Sequence, residues 1–269
     1  MFNASGTHDI DYEIKGQELQ FVEIELDPGE SAVAEAGSMV WKDAVIGMTT
    51  IFGDGSQKQG GGFLDKLVGA GKRLITGESL FTTVFTHDGT GGKARVAFGA
   101  PVPGIILPIK LSDVGGTLIC QKDSFLAAAK GVAIGIQFQS KAMTGLFGGE
   151  GFIMQKLTGD GWVFVQMGGT LIERTLAPGE QLHIDTGCVA AYTPSVDFDL
   201  VRAGNVKSMI FGGEGAFFAS MTGPGKVWIQ SMPFARLAAR VVAASGITGG
   251  QSRGEGSVLG SFGNMIDGD

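Results

Sequence analysis

The pentapeptide FGGEG occurs at Phe147–Gly151 and returns at Phe211–Gly215, sixty-four positions later. The recurrence extends well past five residues. Phe147–Gln166 and Phe211–Gln230 are identical at ten of twenty positions under that offset. The same offset, without a gap, lays Gly116–Ala128 on Glu180–Tyr192 and sets Val132, Ile134 and Ile136 on Val196, Phe198 and Leu200. A third copy lies upstream: LDPGESAVAEAGSMV (Leu26–Val40) matches LAPGEQLHIDTGCVA (Leu176–Ala190), and Gly77-Glu78 falls where Gly149-Glu150 stands. Copies of one unit must share a local structure and bury it against their neighbours. The expected organisation is a first repeat over 1–107, a second over 108–170, a third over 171–233, and a terminal segment over 234–269.

Each unit reads as short strands and turns. The trios Val132, Ile134, Ile136 and Val196, Phe198, Leu200 alternate as half-buried strands do, and FIMQKL, WVFVQM and VWIQSM are rich in strand-favouring side chains. The chain holds 46 glycines in 269 residues, well above the usual share of about 7%, with no collagen period. Pro28-Gly29 and Pro178-Gly179 are turn dipeptides. Gly159-Asp160-Gly161 and Gly223-Pro224-Gly225 separate apolar runs as hairpin turns do. The fold class expected is all-β, with over twenty strands. Two helices interrupt it. One falls near residues 60–75, at an insertion that lies within Met48–Arg73 and that only the first copy carries; the other follows Pro233, in FARLAARVVAA. Beyond it the Gly- and Ser-rich end reads as a flexible tail.

Charge and cysteine content restrict the function. A net charge of −7 weighs against binding nucleic acid through its phosphates. Two cysteines, Cys120 and Cys188, read as buried thiols of a reducing compartment. No leader segment and no long apolar run is visible, so the expected location is cytoplasmic.

Catalytic chemistry finds no foothold. His8, His87 and His183 have no partner at metal-ligand spacing. GAGKRL lacks the Ser or Thr of a phosphate loop, and no GxSxG elbow is present. No metal and no cofactor is expected. One constellation remains as a candidate for binding a ligand or a partner: Glu78, Glu150 and Glu214, each directly after glycine at the same place in its copy. Shared structure explains such a trio first, by turn hydrogen bonds or subunit contacts.

The triplicated unit, the PGE turns, the FGGEG segments and GTLICQKDSFLAAAKGV together resemble the family whose eukaryotic members are named for altered inheritance of mitochondria. The resemblance spans roughly residues 8–240. It implies three β-domains like that of the tryptophan-attenuator RNA-binding protein (TRAP), a relative of the double-stranded β-helix. It also implies self-association into a ring, a homotrimer with nine pseudo-equivalent units. Mitochondrial members are connected with inner-membrane organisation, while bacterial and archaeal members are conserved proteins of unassigned activity, and no catalytic residue carries over. The expected function is a non-catalytic oligomeric scaffold acting through binding or assembly, with a protein or a membrane surface as its further partner. The alternative is a small-molecule-binding protein or enzyme using pockets between domains or subunits.

Overall fold

The structure is a computed structural model, and it describes residues 6–52, 81–140, 152–202 and 217–244. The described chain forms nineteen strands and one α-helix. In order these are β1 (Asp11–Lys15), β2 (Phe21–Leu26), β3 (Ser31–Glu35), β4 (Met39–Lys42), β5 (Ile46–Phe52), β6 (Phe81–His87) and β7 (Ala94–Gly99). Then come β8 (Gly104–Lys110), β9 (Thr117–Gln121), β10 (Phe125–Ala129), β11 (Ala133–Ser140), β12 (Phe152–Thr158) and β13 (Trp162–Gly168). The last are β14 (Leu171–Leu176), β15 (Gln181–Asp185), β16 (Val189–Tyr192), β17 (Asp197–Arg202), β18 (Phe217–Thr222), β19 (Gly225–Gln230) and helix α1 (Phe234–Ala244). The fold is all-β as expected, and α1 follows Pro233 where the sequence places it. The insertion helix near 60–75 and the tail beyond 244 lie outside the described residues.

Four antiparallel sheets form, ordered β1-β2-β7-β4, β5-β6-β3-β10-β13-β8, β11-β12-β9-β16-β19-β14 and β15-β18-β17. None closes into a barrel. Three successive sets of six strands pair in one order. Within each set the first and third strands flank the sixth (β2-β7-β4, β8-β13-β10, β14-β19-β16). The second and fourth flank the fifth (β3-β6-β5, β9-β12-β11, β15-β18-β17). A bulge falls at the same place in each set, at Val40, Leu126 and Ala190. The two six-stranded sheets are each stitched from two sets, by β3 pairing β10 and by β9 pairing β16.

One expectation is corrected. Gly159-Asp160-Gly161 and Gly223-Pro224-Gly225 are not hairpin turns. β12 is already paired on both edges by β9 and β11, and β13 by β8 and β10, so neither has an edge left for the other. The turn instead carries the chain from one sheet into the next, and β18 to β19 does the same. The consecutive strands that do pair across their loops are β1–β2, β5–β6, β11–β12 and β17–β18.

Recurring polar residues hold the turns. In both PGE turns the glycine takes a positive φ, 85° at Gly29 and 78° at Gly179, which a side chain would oppose. The glutamate closes the turn: the Asp27 N–H donates to Glu30 Oε2 at 2.9 Å, and the Ala177 N–H donates to Glu180 Oε2 at 2.8 Å. The repeated glutamines act alike. Gln166 Nε2 donates to the Asp123 carbonyl at 2.6 Å and Gln230 Nε2 to the Gly187 carbonyl at 3.0 Å, each pinning a 3-10 turn.

Alternation buries both faces of the two large sheets. In β3, Ala32 and Ala34 join one core while Val33 joins the next; in β13, Phe164 faces one core and Val163 and Val165 the other. In the third sheet, Leu118 and Cys120 of β9 face one core and Ile119 the next. Four sheets therefore enclose three apolar layers. Phe164 is fully buried, and Phe164→Ala is expected to cost about 3–5 kcal/mol. Val242→Ala, on the exposed side of α1, should stay within about 0.5 kcal/mol. Urea unfolding of both variants checks this.

Candidate functional site

Among the described residues eight strands end their sheets, and two of them, β4 and β15, stand where the corresponding strands of the other sets are paired on both sides. β10 and β16 each lie between two strands, whereas β4, which occupies their place in the first set, pairs only with β7 among the described residues. Likewise β3 and β9 have neighbours on both sides, whereas β15, their counterpart in the last set, pairs only with β18 among the described residues. An unpaired edge presents a row of N–H and C=O groups ready to take another strand.

The side chains along these edges agree with that. Phe125 and Leu126 at the start of β10 are 2% and 1% exposed, and Val189 and Ala190 of β16 are both 0% exposed. Their counterparts on β4, Met39 and Val40, are 36% and 58% exposed. On β15, His183 is exposed where Val33 and Ile119 are buried. Helix α1 sits beside the β15 end, tied by Arg236 Nη2 to Asp185 Oδ2 at 3.2 Å. Phe234, Leu237 and Ala238 of α1 are half-buried, while Val241 is exposed together with Val242.

The outer face of the first sheet is a lattice of opposite charges. Lys93 meets Asp11 and Glu25 at 2.8 Å each, Arg95 meets Glu25 at 2.8 Å, and Lys15 meets Glu23 at 3.0 Å. Its cations are matched by carboxylates, so this face offers no phosphate-binding surface. The exposed pairs add little to stability.

The residues singled out from sequence divide clearly. Glu78, Glu150 and Glu214 lie outside the described residues. Cys120 is buried in the second core and Cys188 in the third, both as free thiols, and burial pushes the Cys120 pKa up. The histidines are scattered: His87 accepts from the Gly89 N–H at 3.0 Å, His183 lies on the open β15 edge, and His8 is buried. Among the described residues no three His, Cys, Asp or Glu side chains converge to hold a metal ion, and no helix is long and apolar enough to cross a membrane.

His8 is a buried titratable group with a defined task. Its Nδ1 accepts the Ser31 N–H at 2.8 Å, which requires a neutral nitrogen there. Burial first, and the Lys130 charge second, hold its imidazole below the usual histidine range. Folding therefore favours the neutral form. The associated stability is present above the unfolded pKa of about 6.5 and is lost as pH falls toward the lower folded value. The urea midpoint is expected to drop between about pH 7 and pH 5. In His8→Asn, whose amide oxygen can accept the same N–H without titrating, the drop should be smaller.

Layered antiparallel sheets with open edges define an all-β protein whose recognisable features are strand edges. The family model described as Mitochondrial biogenesis AIM24 matches residues 12–232, and the chain belongs to that family. An uncharacterized protein of Streptococcus pyogenes serotype M6 is 30% identical over 221 residues, covering 81% of this chain and 84% of the relative. A crystal structure of another Streptococcus pyogenes protein superposes with a TM-score of 0.69 at 24% identity, over 87% of this chain and 99% of that one. The structural likeness is one of fold. None of these descriptions assigns an activity.

Proposed function

We propose that the chain is a non-catalytic β scaffold that works by assembling with copies of itself, the β4 edge of one copy receiving the β15 edge of the next. The observation that supports this reading most strongly is the exposure of Met39 and Val40, where the equivalent residues of β10 and β16 are buried. The internal seams also supply a register. Ala127 faces Ala34 and Ala128 faces Val33 where β10 meets β3; Ala191 faces Cys120 and Tyr192 faces Ile119 where β16 meets β9. Carried one set further, Trp41 stands opposite Ile184 of the next copy, and Lys42 opposite its His183.

Such a contact joins two different surfaces, so it either closes into a ring or runs on as a filament. The family resemblance favours a ring of three chains, each contributing three TRAP-like repeats. The non-catalytic part of the proposal draws on the recurring residues Glu30, Glu180, Gln166 and Gln230, which are all engaged in holding turns. Helix α1, with Arg236, Arg240 and exposed Val241 and Val242, fits contact with an anionic membrane surface by a scaffold resident in the cytoplasm.

Under this reading Val40→Lys yields a folded monomer in light scattering, because a charge replaces an apolar side chain at the seam. The double variant Lys42→Cys/His183→Cys forms intermolecular disulfides on mild oxidation, whereas Lys42→Cys with Gly187→Cys, out of register, does not. A wild-type chain that is monomeric at all concentrations overturns the proposal.

A further inference from the structure

A cleft of about 330 Å³ opens between the third and fourth sheets, within the size range of small-molecule sites. Its floor is aromatic. Tyr192 and Phe198 stack with centroids 5.7 Å apart and planes 10° apart, and Phe138 meets Phe198 edge-on at 5.5 Å. Ile119 and Tyr192, adjacent across β9 and β16, belong to the buried floor. At the rim stand Lys156 and Asp197, both exposed and neither in a salt bridge with another described residue. Burial, and secondarily the Asp197 charge, push the Tyr192 pKa up, so its hydroxyl stays neutral beside them.

The same register one interface earlier carries no such groups. Val84 pairs with Val33 as Lys156 pairs with Ile119. Ala128 takes the place of Tyr192, and Ala133 and Ile134 take those of Asp197 and Phe198. Of these, Val84, Ala128 and Ile134 are packed into the second core. A side-chain set shared by all copies reports on the fold. Here one interface departs from the repeat by acquiring four aromatic or charged residues around a space, and neither rim charge has a salt-bridge partner among the described residues.

We propose that this cleft binds a small zwitterion with a flat or branched apolar body, its carboxylate on Lys156, its ammonium on Asp197 and its body on the Phe138–Tyr192–Phe198 floor. One cation and one anion on the rim select a ligand carrying both, since either charge alone would leave its opposite unpaired in the site. β17 lies on the far side of its sheet from the open β15 edge, so the cleft is separate from the assembly seam and survives a failure of that reading.

The test is calorimetric titration of the full chain with L-phenylalanine, L-tryptophan and L-leucine as probes. Phenethylamine and hydrocinnamate, which lack the carboxylate and the ammonium respectively, complete the set. At least one amino acid is expected to bind saturably, and Lys156→Met and Asp197→Asn should each weaken it about tenfold, the effect of one charge-assisted contact. Phenethylamine should bind more weakly and be indifferent to Lys156→Met, and hydrocinnamate likewise to Asp197→Asn. Both substitutions sit at exposed positions, and unchanged melting temperatures establish that the variants fold. Absence of saturable binding by all three amino acids overturns the proposal. So does binding that neither variant alters.

Discussion

Backbone pairing between strands of different sets holds this molecule together. β3 with β10, and β9 with β16, turn half-sheets into six-stranded sheets whose two faces are both buried. A half-sheet alone leaves the edge at the seam unpaired as well as its outer one. Joined, it gains hydrogen bonds along the seam and an apolar layer on each side. The arrangement has an unavoidable consequence at the chain's ends. The first set offers β4 and the last offers β15, and neither edge finds its counterpart within the described chain. Natural proteins cover, charge or twist away such edges. Here the β4 edge keeps exposed Met39 and Val40.

The same logic explains why a repeat of polar residues carries so little chemistry. Glu30 and Glu180 satisfy turn N–H groups, while Gln166 and Gln230 satisfy the carbonyls of matched 3-10 turns. Each is required wherever the unit is required. Departures from the repeat are more informative. His183 stands where Val33 and Ile119 stand, and Lys156 and Asp197 stand where Val84 and Ala133 stand. Ala133 is itself exposed, but Val33, Ile119 and Val84 are core positions, and a core position changed to a charged or polar one gives up burial energy, so its environment has changed as well.

Much of the fold was legible in the sequence, because the sixty-four-residue offset is rigid. It places β9 on β15, β10 on β16 and the bulge at Leu126 on that at Ala190, and the PGE and Pro233 signals fixed turns and the helix locally. The glycine-flanked turns misled because a tight turn between two strands looks the same whether the strands pair or part. Only the edge count, set by tertiary pairing, distinguishes them. The aromatic and charged cleft was illegible for a related reason. Lys156 and Asp197 are forty-one positions apart and line one cleft only because β12 and β17 fall on facing sheets. The glutamate trio was read from the sequence, and its three positions precede β6, β12 and β18 in residues that the structure does not describe.

Hydrogen–deuterium exchange over a dilution series tests the central claim most directly, because it reads the β4 and β15 amides themselves. If copies join edge to edge, amides of both strands are protected at high concentration, comparably to β3 and β10, and lose protection together on dilution. Rapid exchange of both strands at every concentration, while β3 and β10 stay protected, would contradict the account.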